Sequence, residues 1–149
     1  MGFLLSRKQM DRMEALKIGL TTWGKWLDSN IDPSKTTVFF QGVSAVHIDG
    51  KDWGEASTKN CQGEKEPIKG SRYPGQVVSF EGEAIVKSVL NDVATPVYLL
   101  DITLLTQLRK DGHPSNYTPN SILLDCSHWC LPGVPDIWNL ILFATLFQN

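Results

Sequence analysis

Apolar residues recur every three or four positions along the first part of the chain. Met10, Met13, Leu16, Leu20, Trp23 and Leu27 make one stripe at helical spacing, which predicts an amphipathic helix over residues 8–28. Asn30, Asp32 and Pro33 bring it to a stop. The pattern then changes. Thr37-Val38-Phe39-Phe40 is a short unbroken apolar run, as expected of a strand buried on both faces. Periodicity disappears from Gln41 to Gly75, a stretch rich in Gly, Lys, Glu and Asp. A loop of that length is usually functional or disordered. Helical spacing returns over residues 76–92, with Val77, Phe80, Ala84, Ile85 and Val89 expected to face inward. Beyond Pro96, Val97-Tyr98-Leu99-Leu100-Asp101 reads as a second buried strand. A short helix over residues 103–109, a loop to Asp125 and a last helix over residues 135–147 complete the chain.

This alternation describes a piece of an α/β sandwich with a parallel sheet. A parallel sheet needs neighbouring strands and helices on both faces, and two strands do not supply them. The expectation is therefore the C-terminal part of a larger hydrolase-like or acyltransferase-like enzyme.

Composition narrows the class. Of 149 residues, 42% are hydrophobic and 20% charged, which is ordinary globular material. The net charge of -2, without a run of like charges, argues against a dedicated nucleic-acid binder. The five tryptophans are expected mainly in core or rim packing. No segment is long enough to span a membrane, the longest apolar stretch, Trp138 to Phe147, having the length of a buried helix. Met1 to Ser6 is too short for a signal peptide. Gly2 with Ser6 fits the loose myristoylation pattern, a match that a truncated chain start produces by accident.

The candidate chemistry gathers in Asp125-Cys126-Ser127-His128-Trp129-Cys130, followed by a Pro/Gly turn and an apolar helix. An Asp near a His can hold the imidazole in one tautomer and stabilise its charged form, as the acid–base half of a nucleophilic triad requires. The bland alternative is a surface Asp paired with a partly buried His. His47 lies just past the first strand, where ligands of parallel α/β sheets bind, so it is a candidate substrate-binding residue. Asn60 is a second candidate, and it and Gly42 are possible oxyanion donors, with loop hydrogen bonding as the alternative for each. Ser44 lacks the glycine-flanked elbow of a nucleophile. Asp101 ends a strand, to touch substrate or to cap the next turn, and His113-Pro114 reads as loop. Among three cysteines, Cys61 is expected to pair with Cys126 or Cys130, leaving the other for a cysteine outside this chain. Three reduced thiols are the alternative. Without a C-x-x-C pair and with scattered histidines, no metal site is expected.

Several stretches together resemble the plant trichome birefringence-like family. They are Leu20-Thr21-Thr22-Trp23-Gly24-Lys25-Trp26, Val38-Phe39-Phe40-Gln41-Gly42-Val43-Ser44, Asn60-Cys61, Pro96 through Thr103, Leu108 through Ser115, and Asp125 through Gly133. The resemblance runs from about Asp11 onward, which puts residues 1–10 outside the family domain and residues 11–149 in its C-terminal part. It implies an SGNH-hydrolase-like fold and a Golgi-resident O-acetyltransferase acting on wall polysaccharides, xylan foremost. By carry-over, His128 would be the general base and Asp125 would orient it. The family's serine, in a Gly-Asp-Ser block, and its membrane anchor are not in this chain. The resemblance implies no cofactor beyond an acetyl donor, and partners limited to that donor and a polysaccharide acceptor. A carbohydrate acetyl esterase of the same fold, or an inactive glycan-binding product, is the alternative.

Overall fold

A computed structural model of the protein describes residues 10–69, 81–117 and 124–147. The chain divides into two compact units, Met1–Val38 with Phe80–Val97, and Phe39–Ser79 with Tyr98–Asn149.

The first unit is a pair of packed helices, α1 (Arg12–Asn30) and α2 (Glu81–Asp92). Helix α1 begins four residues later than its stripe suggests because Asp11 caps it. The Asp11 carboxylate accepts from the Met13 N–H at 2.8 Å and the Glu14 N–H at 3.1 Å, satisfying two donors that have no partner within the helix. The stripe itself holds. Leu27 is buried, Met13, Leu16, Leu20 and Trp23 are half-buried, and only Met10, ahead of the cap, is exposed. On α2 the buried residues are Gly82, Val86 and Val89, while Ala84 points to solvent. The inward face is thus rotated from the expected one, because Val86 outcompetes the smaller Ala84 for burial. Val77 and Phe80 lie outside the described residues. Gly24 is where the unit is tightest: a Cβ there would sit 2.6 Å from Val93 Cγ2. Asp28 accepts from the Thr95 N–H at 2.7 Å and the Ala94 N–H at 3.2 Å, tying the end of α1 to the turn after α2.

The second unit contains a small parallel sheet of β1 (Val38–Gln41) and β2 (Val97–Leu100), whose first residues belong to the first unit. Val38, Phe39 and Phe40 are half-buried, and on β2 Tyr98 is exposed and only Leu100 is buried. The sequence predicts strands covered on both faces; among the described residues that cover is partial, so the apolar runs stay half-wet. Helix α3 (Thr103–Gln107) follows β2, and α4 (Val134–Leu146) closes the chain with Val134 as its fully buried residue.

Residues 41–69 are not a slack loop. A 3-10 turn, Gly50–Trp53, is capped by Asp49, which accepts from the Lys51 N–H at 3.0 Å. The buried residues of this unit include Ala45, His47, Trp53, Cys61, Ile102, Thr106, His113, Cys126 and Val134. Thr106 Oγ1 donates to the Thr103 carbonyl at 2.8 Å and accepts from the Ala45 N–H at 2.9 Å. A buried polar group must find such partners, and here they stitch α3 to the segment after β1.

Candidate functional site

The segment from Asp125 to Cys130 is fixed at four points. The Asp125 N–H donates to Ser115 Oγ at 2.6 Å. Cys126 is disulfide-bonded to Cys61, 65 residues away, and its carbonyl accepts from the His47 N–H at 3.0 Å. The His128 carbonyl accepts from His113 Nδ1 at 2.7 Å, and the Cys130 N–H donates to the Gly112 carbonyl at 2.9 Å. Gly112 permits this close lie of the two segments: a Cβ there would stand 2.8 Å from Val134 Cγ2 and 3.0 Å from Trp129 Cε3.

On that frame Asp125 does two jobs. Its Oδ1 accepts from the His128 N–H at 3.0 Å and the Ser127 N–H at 3.3 Å, closing a tight turn. Both carboxylate oxygens also lie 3.1 Å from His128 Nδ1. The His128 amide first, then that of Ser127 and the imidazole, hold the Asp125 carboxyl below the usual carboxylate range, against a smaller opposing effect of burial. A carboxylate only accepts, so Nδ1 carries the proton and Nε2 of the neutral ring carries the lone pair. Nε2 has no partner among the described residues, and the side chain is 82% exposed. An imidazole oriented this way can take a proton from a hydroxyl brought to Nε2 and later return it.

The other candidate residues fare differently. His47 is 1% exposed, with Nδ1 2.7 Å from His113 Nε2 and Nε2 2.9 Å from the Gln107 carbonyl. It is no open ligand for a substrate: both ring nitrogens are spent inside. Burial pushes it down to about 4. Asn60 is half-buried, and its Oδ1 accepts from the Gln62 N–H at 2.9 Å, the geometry of a local turn that leaves the carbonyl oxygen engaged. Cys61 and Cys126 form the bridge, and Cys130 is a half-buried thiol raised by burial and then by Asp125.

His113 is the residue that sequence reasoning passed over. It lies in a loop, at the bend between two 3-10 turns, but its side chain is fully buried, with its ring 4.3 Å between centroids from that of Trp129. Nearby, Arg109 pairs twice with Asp111, Nε to Oδ1 at 2.8 Å and a terminal nitrogen to Oδ2 at 3.0 Å. Arg109 also lines a 360 Å³ cavity with Tyr117, Cys130 and Leu131. Asn116, in an Asn-Tyr-Thr glycosylation pattern, is buried and donates to the Lys110 carbonyl at 3.0 Å.

A small parallel sheet and an acid–histidine pair three residues apart fit an acyl-esterase-like α/β protein. The chain belongs to the PC-Esterase family, described as a GDSL/SGNH-like acyl-esterase family found in Pmr5 and Cas1p, which it matches over residues 5–145. It is 59% identical to "Protein trichome birefringence-like 42" of Arabidopsis thaliana over 143 residues, covering 95% of this chain and 39% of that protein. To "Protein trichome birefringence" of the same plant it is 46% identical over 145 residues, or 90% of this chain and 23% of the relative. To "Probable xylan O-acetyltransferase 8" of Oryza sativa subsp. japonica it is 40% identical over 152 residues, 93% of this chain and 34% of the relative. The chain thus spans about two fifths of the length of the first of these relatives.

Proposed function

We propose that this chain supplies the acid–base half of a polysaccharide O-acetyltransferase, with xylan as the leading acceptor. The observation that carries the reading is the Asp125–His128 pair, held at 3.1 Å with its outer nitrogen facing away from the carboxylate. The rice relative's name supports the acceptor. In this reading the nucleophile is a serine from a Gly-Asp-Ser block outside these residues. His128 Nε2 takes the serine proton as the hydroxyl attacks the acetyl carbonyl of a donor, and returns it to the departing donor group. A sugar hydroxyl then attacks the acetyl-serine, loses its proton to Nε2, and the serine oxygen leaves as that proton is handed back. Asp125 steadies the imidazolium formed at each step. The only co-substrate required is the acetyl donor. The Cys61–Cys126 bridge fits an oxidising compartment, which supports action in the Golgi lumen. Among the described residues no helix is long and apolar enough to cross a membrane, so the reading assigns any anchor to residues other than these.

The test is acetyl transfer to xylan oligosaccharides by a protein that joins this chain to the serine-bearing part of the family domain. His128→Ala is expected to lower transfer by about a hundredfold to ten-thousandfold, the usual worth of a positioned general base. Near-normal transfer would sink the assignment. Release of free acetate in preference to transfer would move the reading to a carbohydrate esterase, which the family description also accommodates.

A further inference from the structure

Three contacts run in line through the interior of the second unit. The Gln107 carbonyl meets His47 Nε2 at 2.9 Å, His47 Nδ1 meets His113 Nε2 at 2.7 Å, and His113 Nδ1 meets the His128 carbonyl at 2.7 Å. Both rings are buried, and Trp53 and Trp129 pack against them. We propose that His113 is a positioning residue for His128, holding its backbone in place, and that His47 fixes the tautomer in which His113 can do so. The inference rests on His128 being the base of the proposed reaction.

Proton counting carries the argument. A carbonyl only accepts, so His113 needs a proton on Nδ1 to hold His128. Its Nε2 then presents a lone pair, and His47 must donate to it from Nδ1. His47 would need a second proton on Nε2 to satisfy Gln107 as well. Three hydrogen bonds thus require three ring protons, and two neutral imidazoles carry two. Burial favours the neutral form of both rings. The Gln107 carbonyl at His47 and the His128 carbonyl at His113 favour the cation, as do Asp111 at both rings and Asp125 at His113, while His113 and then Lys110 oppose it at His47. With burial dominant, the contact left without a proton at neutral pH is the longest of the three, His47 to Gln107. The third proton therefore enters and leaves at the end of the line farthest from His128. The hold on His128 is the same on both sides of that titration.

The experiment uses the 149-residue chain labelled with ¹⁵N. Ring nitrogen shifts at pH 7 are expected to place the His113 proton on Nδ1 and the His47 proton on Nδ1. A His113 protonated on Nε2 overturns the proposal. Two variants add an independent reading. Asn at this position puts its amide nitrogen near the place of Nδ1, and Gln puts it near the place of Nε2. His113→Asn is expected to keep the hydrogen exchange of the His128 amide close to that of the unsubstituted chain. His113→Gln is expected to speed it by about tenfold, the change that one lost hydrogen bond of ordinary strength produces. Simple space filling ranks the two the other way, since Gln is nearer to His in size. Equal or better protection with Gln overturns the proposal. If either variant fails to fold, the tautomer in the unsubstituted chain decides alone. None of these readouts uses catalysis, so failure of His128 as a base would show in the transfer assay and leave them unchanged.

Discussion

The helical pair and the loop-rich unit are held together by different forces. In the first, Leu27, Val86 and Val89 bury apolar surface along a stripe that repeats at helical spacing, with Asp28 and the buried Thr95 as its main polar tie. In the second, the interior carries His47, Thr103, Thr106, His113, Ser115 and Asn116 beside its apolar residues. Apolar contacts are non-directional, and residues of similar size can replace one another. Polar contacts in a dry interior have fixed partners, and losing one leaves the other stranded. The loop-rich unit trades tolerance for definition, and it is the part that holds Asp125 and His128 within hydrogen-bond reach.

The comparison can be broken first at the disulfide, which has no counterpart in the helical pair. Cys126→Ser opens a bridge between residues 65 apart, and in the chain-entropy account that costs roughly 4 kcal/mol. Denaturant titration of oxidised wild type against the variant measures it. A loss below about 1 kcal/mol would mean that the polar contacts hold the unit by themselves.

Acid is the next lever. His47 has its pKa lowered from 6.5 to about 4 on folding, so the unfolded chain binds the proton more readily. Its contribution is complete above pH 6.5 and is lost as pH falls toward 4, on the order of 3 kcal/mol for full titration. Asp28, in the helical pair, is lowered from 3.8 chiefly by the Thr95 amide, so its share is lost only at more acid pH. Unfolding midpoints at a series of pH values should therefore begin to fall in the His47 range. His47→Gln should flatten that fall, and an unchanged profile in the variant would assign the acid lability elsewhere.

A smaller effect tests the stitching itself. Thr106→Val keeps the shape and deletes the hydroxyl, stranding the Ala45 N–H that it accepts from. A cost of about 2 kcal/mol is expected for a buried donor left without a partner. A neutral outcome would mean that solvent reaches the Ala45 amide and that this interior is wetter than it looks.

The same contrast explains what was readable. Helix α1 and helix α2 are visible in the spacing of their apolar residues because the contacts that bury them repeat locally. Even there, the start of α1 turned on one capping carboxylate, Asp11. Asp125 and His128 are visible because their geometry is also local, three residues apart. His47 and His113 are not, because their partners stand 66 residues apart in one direction and 15 in another. Position after a strand made His47 look like a ligand, and the loop position of His113 beside Pro114 gave no sign that its ring is buried.

One further consequence follows from how the segment from Asp125 to Cys130 is pinned. Its ties run through main-chain atoms, through the cystine and through the Asp125 carboxylate. Ser127 contributes an exposed side chain whose hydroxyl, among the described residues, reaches only Asp125 Oδ1, at 3.4 Å. Its amide does the structural work, and any residue but proline has one. Replacing Ser127 with any residue but proline therefore leaves the tie to Asp125 in place, and the side chain presented at that rim can change without moving the Asp125–His128 pair.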